Sequence, residues 1–224
     1  MAEQWKFIDT REGDSAWNMA FDELALGEAE ATGTPILRCY GWKEAAATFG
    51  YFQRTAEVET MTSLRPLIRR CTGGGLVPHE SDWTYSLSIP TTHPWFGLKA
   101  VESYRRVHEW LRRAFERLGI ETTLAECCEE QGPGQCFLGA EKFDLLLHGK
   151  KLAGAAQRRM KSGLLIQGSL QPGEVSTTRE SWRDAMLATV EAEWAAFKPD
   201  AVFEAEVWRV ARSKYGSDEH NRRR

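Results

Sequence analysis

The stretch Arg69–Leu87, RRCTGGGLVPHESDWTYSL, joins two arginines, three consecutive glycines and a histidine to an alternating apolar run. Its second half reads as a strand, with Trp83, Tyr85, Leu87 and Ile89 on one face and Pro90 closing it. Its first half reads as a short strand at 67–70 that opens into a bare loop. Gly73, Gly74 and Gly75 remove every side chain and permit positive φ. Such a loop is either an exposed turn or a nest of backbone N–H groups for an anion or a carbonyl oxygen. Arg69 and Arg70 point to opposite faces of a strand, so at most one of them easily shares a ligand with the loop. The spacing is neither GxGxxG nor GxxxxGK[ST], so neither a dinucleotide site nor a P-loop is expected.

Working outward, Ser15 is a candidate cap for a helix carrying Trp17, Phe21 and Leu24, which Gly33 and Pro35 end. ILRCYGW (36–42) alternates as a strand, AAATFGY (45–51) is a candidate partner for it, and a short helix follows around 55–63. The clearest helix carries Leu98, Val101, Tyr104, Val107, Leu111, Ala114, Phe115 and Leu118, with Gly119 as its stop. IETTL reads as a strand, ECCEEQGPGQC as a loop, KFDLLLHGKKLAGAA as a hairpin turning at His148–Gly149–Lys150, and GLLIQGSL as a strand. Trp182, Met186, Val190 and Trp194 predict one helix, 202–211 a second, and HNRRR a solvated tail. Adjacent strands followed by helices, without strict alternation, predict an α+β fold: a mixed, mostly antiparallel sheet packed with helices. The expected organisation is a single catalytic domain over 1–224, with a core at about 5–172 and helices and a short tail over 173–224.

The 224 residues are 42% hydrophobic and 27% charged, with net charge −3, which gives no reason to expect nucleic acid as a partner. No run of eighteen apolar residues predicts a membrane span, and the N-terminus lacks a signal-peptide pattern. Five cysteines without metal-ligand spacing point away from a disulfide framework or zinc site and toward a reducing cytoplasm.

A second block, GKKLAGAAQRR (149–159), sets Lys151 three residues before Gly154, Ala155 and Ala156. Small residues on a strand allow close approach. In regular alternation Lys151 shares a face with Ala153, and Leu152 with Gly154. Taken alone, Lys151 is either a solvated hairpin lysine or a ligand for an acyl carbonyl or phosphate.

NMAFDELAL (18–26), PILRCYGWKEAAATFGYFQ (35–53), RRCTGGGLVPHESDWTYSL (69–87), GKKLAGAAQRR (149–159) and LLIQGSL (164–170), in that order, resemble the biotin/lipoate protein ligase and octanoyltransferase family. The resemblance covers about residues 5–172. It implies a fold related to class II aminoacyl-tRNA synthetase and biotin synthetase cores. It implies transfer of an octanoyl or lipoyl group to a lysine of a lipoyl domain, in 2-oxoacid dehydrogenases or glycine cleavage H protein. Arg70, Thr72, Gly73, Gly74, Gly75, His79, Gly154, Ala155 and Ala156 are then the residues expected to bind the acyl group. Lys151 is expected to touch the reacting carbonyl. The arginine and lysine blocks look like the lipoate branch rather than the biotin branch.

Two chemistries run in that family. Ligases activate lipoate with ATP and Mg2+; transferases take octanoate from acyl carrier protein onto a cysteine and need no cofactor. Cys136, fifteen residues before Lys151, stands where the cysteine-dependent octanoyltransferase branch carries its nucleophile as CF. A thiol titrates near about pH 8.5, so a neighbouring ammonium would favour the thiolate. The other reading of Cys136 is an inert buried thiol. Cys71 and Cys39 read as packing, and Cys127 and Cys128 receive no role. The additional C-terminal domain often found in stand-alone ligases is not expected in the residues after 172, although some ligases of the family obtain it as a separate chain. His79 either orients the loop or accepts a proton from the attacking amine, and Asp82, Tyr85 and Gln157 are expected to support the pocket. Arg158, Arg159 and Lys161 are a docking patch for an acidic lipoyl domain or a plain solvated edge. A non-catalytic acyl-binding protein is the third alternative.

Overall fold

The computed structural model describes residues 3–127, 139–173 and 175–223. In chain order the elements are β1 (Glu3–Gly13), α1 (Ser15–Thr32), β2 (Ile36–Trp42), β3 (Ala46–Phe49), α2 (Thr55–Met61), β4 (Leu67–Arg69), β5 (Val77–His79) and β6 (Trp83–Ile89). A 3-10 turn, Pro94–Gly97, leads into α3 (Ala100–Arg117), β7 (Thr123–Leu124), β8 (Leu145–Leu147), β9 (Lys150–Met160) and β10 (Gly163–Leu170). Then come α4 (Arg179–Thr189), β11 (Ala192–Ala196), α5 (Ala201–Val210), a π turn (Ala211–Tyr215) and α6 (Asp218–Asn221).

Eight strands form one sheet in the order β11-β1-β2-β6-β10-β9-β8-β7. β1 runs parallel to β11 and β2; every other pairing in it is antiparallel. This is the mixed, mostly antiparallel sheet expected of the α+β reading. Tyr85, Leu87 and Ile89 of β6 point to a core closed by α3 and α4, through Leu111, Phe115, Trp182 and Met186. The opposite face carries α1 and α5, with Phe21, Tyr40 and Val207 packed between them. Helices therefore cover both faces, and β6, with neighbours on both edges, runs through the middle.

Several elements depart from the sequence reading, and the strands β1 and β5 were not read at all. β3 does not pair with β2. Both edges of β2 are already taken by β1 and β6, so β3 builds a separate three-stranded sheet in the order β4-β3-β5. The helix containing Trp182 ends at Thr189; Val190 is extended and Trp194 lies in β11 beside β1. The four-residue spacing misled because helix and strand present tryptophans to one cluster: Trp194 stacks on Trp110 and meets Trp5 edge-on. Ser15 is the first residue of α1 rather than its cap; its hydroxyl donates to Glu44 at 2.6 Å.

Within HNRRR, His220 and Asn221 are not part of a solvated tail, whereas Arg222 and Arg223 are exposed. Arg69, fully buried, donates to the His220 and Asn221 carbonyl oxygens at 3.2 and 3.0 Å. It also reaches the carbonyl oxygens of Tyr51 and Gln53. A buried guanidinium requires its acceptors, and α6 supplies two of them.

Candidate active site

The site lies on the α1 side of the sheet, where β9 and β10 carry small residues and the three-stranded sheet folds over them. A narrow cleft there, with about 410 Å³ of empty space counting its open mouth, is walled by Gly154, Ala155 and Ala156 from β9. Arg70, Thr48 and His79 face them from the small sheet and its loop, and Gln167 and Ser169 from β10. Met19, Tyr40 and Val77 add apolar wall. The slot suits a slim chain with a polar head rather than a broad ring system.

Lys151 lies beside Gly154, one of the wall residues. Its Nζ lies 2.7 Å from Asp144 Oδ2, and both side chains are buried. Asp144 also accepts the Tyr104 hydroxyl at Oδ1 and the Glu141 N–H, at 2.6 Å, at Oδ2. The Ala155 N–H donates to the same Tyr104 oxygen. Burial beside this carboxylate drives the Tyr104 pKa well above its ordinary value, so the phenol stays a donor. Lys151 does not follow regular alternation. Leu145 pairs with Ala153 but Leu146 with Lys151, which leaves Leu152 as an extra residue in β9. That β-bulge slips the alternation by one and turns Lys151 onto the face of Gly154. A Cβ on Gly154 would stand 2.8 Å from Lys151 Cε and 3.0 Å from Nζ. Gly154→Ala is therefore expected to leave the melting temperature close to native, because a flexible ammonium moves aside. If Lys151 meets a reacting carbonyl, as the resemblance implies, turnover should fall by about tenfold or more, because a small misplacement at a reacting centre is costly. Unchanged turnover in this variant would separate Lys151's position from catalysis.

Arg70 braces the glycine loop from inside. It donates to the Gly73 and Gly75 carbonyl oxygens, each at 2.9 Å, and to Thr48 Oγ1. The loop thus turns these two carbonyls toward the guanidinium, which needs acceptors, rather than leaving the cation to a ligand alone. Gly74 has φ +82, and a Cβ on Gly50 would sit 1.9 Å from the Gly74 oxygen, so backbone packs on backbone here. Among the described residues the three glycines are not cleft walls; they stand behind Arg70. Thr72 is likewise set back, donating to Gln167 Oε1 at 2.7 Å.

His79 bonds Asp82 Oδ2 through Nδ1 and Thr48 Oγ1 through Nε2, each at 2.8 Å, and stacks on Trp42. Asp82 also accepts from Thr84 and Ser169. Asp82 and Thr48 thus fix the orientation of the imidazole, whose Nε2 edge is on the cleft side. Tyr85 packs its ring under Gly168, where a Cβ would collide with it at 2.2 Å. Gln157 faces away, bonding Ser103 and the Ala100 carbonyl of α3.

The sequence reading missed the polar floor. Asp22 of α1, fully buried, accepts from Arg38 and Ser86 at Oδ1 and from Tyr40 and Gln167 at Oδ2. This ties α1, β2, β6 and β10 together directly beneath the cleft. Its signal was available: a charged residue on the apolar side of α1 within NMAFDELAL. The expected basic patch is also not one surface. Arg159 is spent on the Phe96 and Leu98 carbonyl oxygens, whereas Arg158 leans on Tyr51 and Lys161 is exposed. Cys71 is buried and its pKa is pushed up to about 11 by desolvation, which keeps it a packed thiol. Burial likewise pushes Cys39 up to about 12. Cys136 and Cys128 lie outside the described residues.

An α+β sheet, a cleft walled by short residues of β9, and a buried lysine–carboxylate pair beside Gly154 of that wall make up the candidate site. The chain belongs to the lipoyl protein ligase A/B catalytic domain family, whose model matches residues 14–186. It is 33% identical over 187 residues to octanoyltransferase LipM of Staphylococcus aureus, covering 76% of this chain and 66% of that protein. It is 32% identical over 181 residues to octanoyltransferase LipM of Bacillus subtilis, covering 75% of this chain and 65% of that one. The chain thus spans just under two thirds of the length of these curated relatives. Among solved structures, lipoate-protein ligase A bound with ATP shares the fold, with TM-score 0.79 at 20% identity over 99% of both chains. The bi-partite lipoate protein ligase of Thermoplasma acidophilum, described with its E2 lipoyl domain, does so with TM-score 0.75 at 18% identity over 99% and 97%.

Proposed function

We propose that the chain is an octanoyltransferase that moves an octanoyl group from acyl carrier protein to a lysine of a lipoyl domain, through a thioester on Cys136. The observation that carries this reading is the buried Lys151–Asp144 pair beside Gly154 of the cleft wall. It is supported by membership of the family and by the octanoyltransferase relatives. Acceptors in this reading are lipoyl domains of 2-oxoacid dehydrogenases or glycine cleavage H protein. The setting is the cytoplasm; among the described residues no helix is long and apolar enough to cross a membrane.

The chemistry follows from the charges. The Cys136 thiolate attacks the carbonyl carbon of octanoyl-acyl carrier protein. The carbonyl oxygen takes up negative charge, which the Lys151 ammonium stabilises. The carrier's sulfur leaves as thiolate and takes a proton, so one thioester replaces another and no ATP is consumed. The neutral amine of the acceptor lysine then attacks the Cys136 thioester, an amide forms, Cys136 leaves as thiolate, and the amine's proton passes to a base. His79 Nε2 is the nitrogen in the cleft for that last step. The Cβ-free wall at Gly154 and its short neighbours lets the acyl chain lie against β9.

Intact-mass measurement after incubation with octanoyl-acyl carrier protein, without ATP, is expected to show one octanoyl group on Cys136. Cys136→Ala is expected to carry none and to leave the acceptor domain unmodified. A fully active Cys136→Ala protein, or acylation that requires ATP, Mg2+ and free lipoate, would overturn the proposal.

A further inference from the structure

Beyond the cleft, two guanidiniums converge on one phenol. The Arg158 guanidinium carbon lies 4.2 Å and that of Arg223 3.7 Å from the centre of the Tyr51 ring. Hydrogen bonding from Arg223 first, and from Arg158 as well, lowers the Tyr51 pKa below that of an ordinary tyrosine. Neither arginine pairs with a carboxylate among the described residues, whereas the adjacent Arg222 is held by Glu59 and Asp218. Tyr51 thus carries two cations against its ring, and among the described residues no carboxylate pairs with either. Such an arrangement is electrostatically unfavourable unless something negative completes it.

Its position relates it to the cleft. Arg158 stands on the same face of β9 as Gly154 and Ala156, about 13 Å along the strand from Gly154. Its Nη1 also donates to the Cys71 carbonyl, at 2.8 Å, so the entrance of the glycine loop fixes its direction. Tyr51 is bound to the same loop, its N–H donating to the Thr72 carbonyl oxygen. A ligand leaving the cleft along β9 meets this pair.

We infer that Arg158 and Arg223, gathered around Tyr51, form a phosphate-ester site at the lip of the cleft, and that its occupant is the phosphate joining the pantetheine arm to its carrier protein. The occupant rests on the octanoyltransferase reading; the phosphate chemistry does not. A planar guanidinium presents paired N–H donors that match two phosphate oxygens, and two of them at one point neutralise the charge. The phosphate then anchors the arm while its thioester reaches in toward Lys151. The same chemistry would suit the phosphate of a nucleotide.

The test is binding, which requires no turnover. The full chain is titrated with 4′-phosphopantetheine, with pantetheine and with AMP. Phosphopantetheine is expected to bind about tenfold more tightly than pantetheine. Arg223→Ala is expected to erase most of that difference while leaving pantetheine affinity unchanged, Arg158→Ala to do the same, and Arg223→Lys to keep part of it. Thermal unfolding identifies a variant that merely misfolds, and Arg223, exposed near the end of the chain, is the safer of the two. Equal affinity of the native protein for phosphopantetheine and pantetheine overturns the site. Arg223-dependent binding of AMP, with no preference for phosphopantetheine, overturns the carrier arm as occupant. Loss of octanoyl transfer with the phosphate preference intact would count against the proposed function instead.

Discussion

Lys151→Met is expected to lose roughly a hundred- to a thousandfold of acyl transfer and, at the same time, to unfold more easily. On the proposed mechanism the catalytic loss follows from removing the ammonium that meets negative charge on the carbonyl oxygen. The stability loss has a different origin. Asp144 is fully buried, and without Lys151 its carboxylate is left with only the Tyr104 hydroxyl and the Glu141 N–H. Removing one partner of a buried ion pair costs about 3–5 kcal/mol. For a chain of this size that lowers the melting temperature by on the order of 10 °C. The two effects separate in the double variant Lys151→Met/Asp144→Asn. Stability should return in large part, because no buried charge remains, and transfer should stay lost. Lys151→Arg keeps a cation for Asp144 but replaces the compact ammonium by a planar fork whose N–H groups do not reproduce the Nζ position; stability near native with poor turnover is expected. Single-turnover acylation and thermal unfolding of the three variants decide it. Lys151→Met with near-native turnover would remove the lysine from the mechanism.

How much of this was legible in the chain varies by element, for physical reasons. α3 was readable because its apolar positions recur at helical spacing over 18 residues. The β8–β9 hairpin was readable because His148 and Gly149 both take positive φ, as a two-residue turn requires. The position of Lys151 was not readable. Regular alternation placed it opposite Gly154, and only the bulge at Leu152, a matter of register between two strands, turns it into the site. β3 was misplaced because nothing local says that both edges of β2 are occupied. Arg69 and Arg70 were assigned to opposite faces from alternation alone, as the structure has them: Arg70 to the cleft, Arg69 to α6. What no local pattern could supply was the partner of Arg69, 151 and 152 residues further along the chain. Arginine followed by TGGG shows that a bare loop exists; it does not show that the loop's carbonyls fold back onto the arginine.

Asp22→Ala is expected to be the most destabilising single change in the polar floor, by about 4 kcal/mol or more. Four donors converge on this one carboxylate: Arg38 at 2.7 Å, Ser86 at 2.6 Å, Tyr40 at 2.9 Å and Gln167 at 2.7 Å. Arg38 is itself fully buried, so truncation leaves a positive charge in the interior whose remaining partners among the described residues are the Asn18 and Thr10 oxygens and the rings of Trp17, Phe21 and Tyr40. Asp22→Asn separates charge from shape. It fills the same space, but one of its two terminal groups donates where it must accept, so an intermediate loss is expected. The pair replacement Asp22→Leu/Arg38→Met removes both charges and is expected to recover much of the stability. It should not recover activity. Gln167 then loses the acceptor that holds it in the cleft wall, and through Gln167 the anchor of Thr72 at the root of the glycine loop also loosens. Urea unfolding and acylation, measured on all three variants, test this division between holding the fold and shaping the cleft. An Asp22→Ala protein within about 1 kcal/mol of native stability would show that α1 is held to the sheet by apolar packing alone and that the floor is dispensable.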